Sequence, residues 1–326
     1  MPLVLASEAS DELHSFDAPV WLWAAFLAGV VAMLLVDLFV LNRNAHEISL
    51  REAGITSAVW ISIGVAFSLV VWAVLGGTAA NQYLAGFIIE KSLSVDNVFV
   101  WAVIFNYFAI PLKYQHRVLF WGIFGAIALR AVFVFAGVAL IETFSWVLYL
   151  FGAILVYTAF KVAFGGDHEI HPENNPALKL VRRIMPVSSE YDGQKMFTRA
   201  DSVRLATPLF VVLVLIEASD VVFAVDSVPA ILAISRDQFV VLSSNIMAIL
   251  GLRALYFLLA GAKDRLVYLN LGLGAILLFV GVKMLISEWY HIPTLLSLFV
   301  IAVALTITVV ASVLTTRTTE PQEVAT

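Results

Sequence analysis

Long apolar runs recur along this chain, separated by short polar stretches. About 20 helical residues cross the hydrocarbon of a bilayer. The pattern predicts nine such helices, at about 20–41, 55–76, 83–110, 118–141, 145–164, 207–234, 239–260, 267–287 and 292–314. Residues 1–18 hold no Lys or Arg but do hold Glu8, Asp11, Glu12 and Asp17, unlike the basic start of a cleavable signal peptide. The first run is therefore expected to stay as a permanent helix. The expected fold is all-α, a polytopic membrane helical bundle in a single domain, 1–326. Within it, 19–82 would hold two helices, 83–165 a three-helix unit and 166–204 a basic loop. A second three-helix unit (205–287), a last helix (288–314) and a tail (315–326) would follow.

Composition narrows the function. At 61% hydrophobic, 13% charged and a mean hydropathy of +0.95, the chain lies far from soluble domains. It has no cysteine, which excludes disulfides, thiolate ligands and a catalytic thiol. No Walker-type loop is present, so direct ATP drive is not expected. Intramembrane aspartyl proteases pair Tyr-Asp with Gly-x-Gly-Asp inside spans; here Tyr191-Asp192 falls in the long loop and no Gly-x-Gly-Asp occurs. No catalytic residue, cofactor or nucleic-acid surface is expected.

Positive charge sets the expected orientation. Arg43, Arg51, Lys113, Arg117, Lys179, Arg182, Arg183, Lys195, Arg199, Arg204, Lys263, Arg265 and Arg317 fall on one side, and only Arg236 on the other. That places the N-terminus outside and the C-terminus in the cytoplasm of a bacterial inner membrane. Lys161 and Lys283, near span ends, are expected to snorkel to headgroups. Within the long loop, Phe197 to Ser202 suggests a small hairpin, and Asp167 to Glu173 reads as a solvated turn that could also gather metal.

The two three-helix units resemble each other. Asp96-x-Val98-Phe99 matches Asp220-x-Val222-Phe223, Leu129-Arg130-Ala131 matches Leu252-Arg253-Ala254, and Gly152 to Leu155 matches Gly274 to Leu277. The offsets are 124, 123 and 122 residues. An odd number of spans per unit makes the units antiparallel, and inverted repeats of that kind bind substrate near the midplane.

The chemistry lies in the first helix of each unit. One reads Glu90-Lys91-Ser92-Leu93-Ser94-Val95-Asp96-Asn97, the other Glu217-Ala218-Ser219-Asp220 and onward to Asp226-Ser227-Val228-Pro229. A carboxylate at bilayer depth costs roughly 2.5–3.5 kcal/mol even on lenient scales. Glu90, Ser94 and Asn97 share a helix face, and Glu217 and Asp220 are one turn apart, whereas Asp226 would point away from Glu217. Two sites, or a helix broken at Pro229 to free the Val225 carbonyl, would both account for this. Asn245, Ser219 and Ser227 could add oxygens. A structural reading pairs the acids with Lys91, Arg130 and Arg253. But Asp37, Glu90, Asp96, Glu217, Asp220 and Asp226 make six acids against three deep bases. The surplus calls for a divalent cation or protons. With histidines confined to loops and span ends, the donors are all oxygen, which suits Mg, Ca or Mn. Asp37, toward the cytoplasmic end of its span, is either a ligand on the access path or an interfacial charge.

From Asp37-Leu38 to the last span, the chain strongly resembles the TerC family of integral membrane proteins, particularly its Alx-type members. The resemblance rests on Glu90 to Phe99, Glu217 to Ala230, Ala206-Thr207-Pro208-Leu209, Ser244-Asn245 and Leu252 to Leu259. It implies manganese export, with a historical label of tellurium resistance. Some relatives instead supply metal to secreted enzymes or assist membrane protein assembly. The family's acidic residues would carry over to Asp37, Glu90, Asp96, Glu217, Asp220 and Asp226, with Asn97 and Ser227 beside them. The resulting expectation is a secondary transporter that exports a divalent cation, Mn2+, in exchange for protons. An assembly or metalation factor, or a carrier of tellurite-like anions using Arg130 and Arg253, are the alternatives. Oligomeric state is open.

Overall fold

A computed structural model of the chain describes residues 16–37, 49–144, 146–164, 176–188, 191–200, 203–259, 268–287, 289–290 and 292–319. It is helical almost throughout. The order is α1 (Val20–Val36), α2 (Leu50–Leu75), α3 (Gly77–Tyr107), α4 (Leu112–Thr143), α5 (Val147–Phe164) and α6 (Pro176–Ile184). A strand pair, β1 (Phe197–Ala200) and β2 (Val203–Ala206), precedes α7 (Pro208–Leu232), α8 (Gln238–Leu250), α9 (Leu252–Leu259), α10 (Leu269–Leu285) and α11 (Thr294–Thr319).

Local sequence explains the element ends. Ser49 accepts from the Glu52 amide at 3.2 Å, a Ser-x-x-Glu start for α2. Gly76, at φ 91°, ends α2 and lets α3 begin at once. Asp237 accepts from the Val240 amide at 2.8 Å and starts α8. Pro208 takes the first position of α7, where a missing N–H costs nothing.

α3 runs through the middle, with α2, α7, α8, α9 and α11 packed around it, while α4 lies along α7 and α8. The outer surface is apolar: Leu69, Val132, Phe160, Phe164, Leu295 and Phe299 are each more than half exposed. Among the described residues, four helices are long and apolar enough to cross a membrane, lying in α2, α4, α5 and α11. The α8–α9 pair, bent by 40°, makes a fifth if counted as one span. α1 and α10 are shorter apolar helices, so these lengths fall short of the nine spans expected.

The most extensive helix pairing is α5 with α10, and small residues lie in it. A Cβ on Gly152 would lie 3.1 Å from the Gly281 carbonyl, and one on Gly274 2.9 Å from that of Ala159. At the offset of the sequence match, Gly152 corresponds to Gly274 and Ala159 to Gly281, so each contact is the image of the other.

Several expectations need correction. α7 does not break at Pro229 but continues to Leu232. Proline removes one bond near a helix end, and the turn is held by buried Val228, Ala230, Ile231 and Leu232. The break falls instead at Gly251, between α8 and α9. Lys283 is buried rather than snorkelling. His116 lies inside α4, which begins at Leu112, earlier than the apolar run suggested. The long loop contains helix α6 as well as the expected hairpin; the stretch Asp167 to Glu173 lies outside the described residues.

Candidate functional site

Arg130 of α4 occupies the centre of the bundle, 5% exposed. Its Nη1, which carries two hydrogens, lies within hydrogen-bond reach of three acceptors: Glu90 Oε2 of α3 at 2.5 Å, Asn245 Oδ1 of α8 at 2.7 Å and Ser227 Oγ of α7 at 2.9 Å. Four helices thus converge on one cation. The acceptors are themselves fixed: Ser227 donates to the Phe223 carbonyl, Asn245 to that of Val241, and Ser94 donates to the other Glu90 oxygen. Glu90 and Ser94 are one turn apart on α3, as their spacing requires.

Two cavities border this guanidinium. One, of about 70 Å³, is walled by Glu90, Asn97, Arg130, Thr158 and Ser227. The other, of about 10 Å³, is walled by Asn97, Arg130 and Asp220. A water needs about 10–15 Å³, so the larger holds several waters or a partly hydrated ion and the smaller about one. Asn97 and Arg130 line both.

The Asp220 carboxylate is buried, and neither oxygen has a hydrogen-bond partner among the described residues. One turn earlier, Glu217 lies against Gly125 of α4, where a Cβ would overlap its carboxylate; its Oε2 is also buried with no hydrogen-bond partner among the described residues. The glycine is what lets the acid fit. Removing a carboxylate from water without a donor or cation is costly.

Asp37 sits elsewhere. At the end of α1 it is ion-paired with Arg253 of α9, both buried. His116 Nε2 lies 2.9 Å from the same guanidinium and must accept, because arginine only donates. Lys91 makes no ion pair among the described residues; its Nζ donates to the Ala248 carbonyl at 3.0 Å, beside the Gly251 break.

Residues 75–320 match the sequence model of the integral membrane protein TerC family. The chain belongs to the TerC family. A Myxococcus xanthus membrane protein, STKORF319, is 48% identical over 296 residues, 91% of this chain and 93% of that one. A Salmonella typhi protein provisionally named membrane-bound redox modulator Alx is 44% identical over 298 residues, 89% and 92% of the two chains. A Rickettsia bellii membrane protein is 39% identical over 292 residues, 90% and 97%. No solved structure matches. This TerC protein is accordingly a multi-pass integral membrane protein.

Of the acids singled out in the sequence, this TerC chain brings Glu90 and Asp220 to adjoining cavities, together with Asn97 and Ser227. Glu217 lies one turn of α7 from Asp220, and Asp37 is held apart by Arg253. Asp96 and Asp226 fall on α3 and α7, and their side chains lie outside the described residues. Among the described residues no three His, Asp or Glu side chains gather into a metal cluster. Asn245 was legible only as a spare oxygen, and Gly125, unmarked by the reading, had a visible signal in the Gly122-x-x-Gly125 spacing of an apolar helix.

Proposed function

We propose that this TerC protein is a secondary transporter that moves a divalent metal cation out of the cytoplasm in exchange for protons. The reading rests on Asp220, a buried carboxylate whose two oxygens have no hydrogen-bond partner among the described residues, on the wall of a small cavity it shares with Asn97 and Arg130. Glu90, Asn97, Ser227 and the Asn245 amide oxygen supply further hard donors within the same four helices. An oxygen-only set favours Mg, Ca or Mn over copper or zinc, and Mn2+ comes from the TerC resemblance. Asp96, Asp226 and Glu217 complete the proposed ligand set.

Arg130 supplies a resident counter-charge for the site. Its guanidinium neutralises Glu90 until an incoming cation competes for the same oxygens. On release, Arg130 returns to Glu90 and protons taken up by the remaining carboxylates replace the metal, which gives exchange. The paired contacts of α5 with α10, and the matched packing of α3 on α8 and α4 on α7, support two inverted units rocking about the site. The basic loops favour a cytoplasmic C-terminus in a bacterial inner membrane. Anion carriage is disfavoured, because Arg130 and Arg253 already donate to carboxylates. Thiol redox chemistry is not open to a chain without cysteine.

Purified protein in proteoliposomes tests this. Mn2+ flux should follow an imposed pH gradient and fall to the protein-free rate in Asp96→Asn and Asp220→Asn at matched protein levels. Flux unchanged in both variants would refute the reading.

A further inference from the structure

The segment between α5 and α7, placed on the cytoplasmic side by the orientation proposed above, has no part in the proposed cation site. α6 packs on α7, with Leu178 and Val181 in one buried cluster with Leu209 and Val212 of α7. At 100° per residue its remaining surface divides in two. Lys179, Arg182 and Arg183 form one exposed stripe, and beside it Leu180 and Ile184, one turn apart, are 57% and 72% exposed.

The hairpin continues this surface. The chain leaving α6 is tied to β2 through the Ser188 amide on the Ala206 carbonyl (2.8 Å) and the Ala206 amide on that of Pro186 (3.0 Å). Arg199 stands directly opposite Arg204 in the strand pair, and both are exposed. Like charges in that position repel. The described acid of the segment, Asp192, is held by Lys195 and Thr198. None of the five bases Lys179, Arg182, Arg183, Arg199 and Arg204 has an ion pair among the described residues.

We propose that α6 and the β1–β2 hairpin form a docking surface for acidic phospholipid headgroups. Basic side chains near an anionic leaflet are attracted to it, and an amphipathic basic helix has the shape of an interfacial one. A lipid surface is favoured over a soluble polyanion because it also covers Leu180 and Ile184. The proposal is independent of what the transporter carries.

Amide hydrogen exchange tests it, with the full-length protein in nanodiscs of phosphatidylcholine alone or with phosphatidylglycerol added. Peptides covering 176–206 should exchange more slowly with the acidic lipid, by about fivefold for each base that engages, and high salt should abolish the difference. The variant Lys179→Gln/Arg182→Gln/Arg183→Gln should lose most of the protection while the membrane helices exchange as before. Leu180→Ser/Ile184→Ser should lose part of it with every charge retained. Equal exchange in both discs would overturn the proposal. So would equal protection by inorganic phosphate or heparin in phosphatidylcholine discs, which would reassign the face to a soluble anion.

Discussion

Arg130 donates to Glu90, while Asp220, which lines the smaller cavity with Arg130, has neither oxygen hydrogen-bonded among the described residues. One carboxylate is paired within the protein, and the other has no such partner among the described residues.

If Arg130 holds the place of the transported cation, removing it should expose the site. Arg130→Gln strands Glu90 and should cost about 3–5 kcal/mol without metal, the range for breaking a buried pair. Mn2+ should restore more stability to this variant than to wild type, where a ligand at 100 times its Kd adds about 2.7 kcal/mol. Thermal melts across an Mn2+ titration read both effects. Identical metal-induced shifts in the two proteins would contradict competition.

Gly125 leaves room for the Glu217 carboxylate. Gly125→Ala should displace that acid and add overpacking of about 1–3 kcal/mol. Its Mn2+ flux should fall as far as that of Glu217→Gln, and the double variant should be no worse than either single one. Normal flux in Gly125→Ala would remove Glu217 from the path.

Asp37 and Arg253 are expected to serve packing rather than transport. Asp37→Asn should lower stability by about 3–5 kcal/mol, and Asp37→Leu/Arg253→Leu should recover most of that loss. Both should keep the Mn2+-induced rise in melting temperature. Loss of that rise in Asp37→Asn would make Asp37 a ligand after all.

Hydrogen bonds from Lys195 and Thr198 hold the exposed Asp192 carboxyl below the ordinary carboxylate range. A depressed folded-state pKa gives stability that is present above the unfolded value, about 3.9, and lost as pH falls through the folded one. Exchange protection of the 197–206 hairpin, corrected for intrinsic rates, should be flat from pH 7 to 5 and decline below about pH 4. Asp192→Asn should flatten the profile.

Periodicity carried much of this arrangement. The i, i+4 and i+7 spacing placed Glu90, Ser94 and Asn97 together on α3, and the excess of intramembrane acids over bases marked the centre of the bundle. What convergence of helices decides was not legible. Nothing local pairs Arg130 with Asn245 across 115 residues or Arg253 with Asp37 across 216. Pro229 looked like the break because its cost depends on how much helix follows it, and here little does. Gly251, inside an apolar run, looked like an ordinary small residue, yet the chain bends there and Lys91 caps the Ala248 carbonyl beside it. α6 escaped because its short apolar spacing, Leu178 and Val181, is hidden among bases.

Equilibrium Mn2+ binding to purified wild type and Asp220→Asn is the most direct test of the cation site. The variant should fold at least as stably as wild type, having lost a buried carboxylate with no hydrogen-bond partner, yet bind Mn2+ more weakly by more than the 10–100-fold that outer-shell changes typically cost. A stably folded Asp220→Asn protein with undiminished Mn2+ affinity would contradict the account.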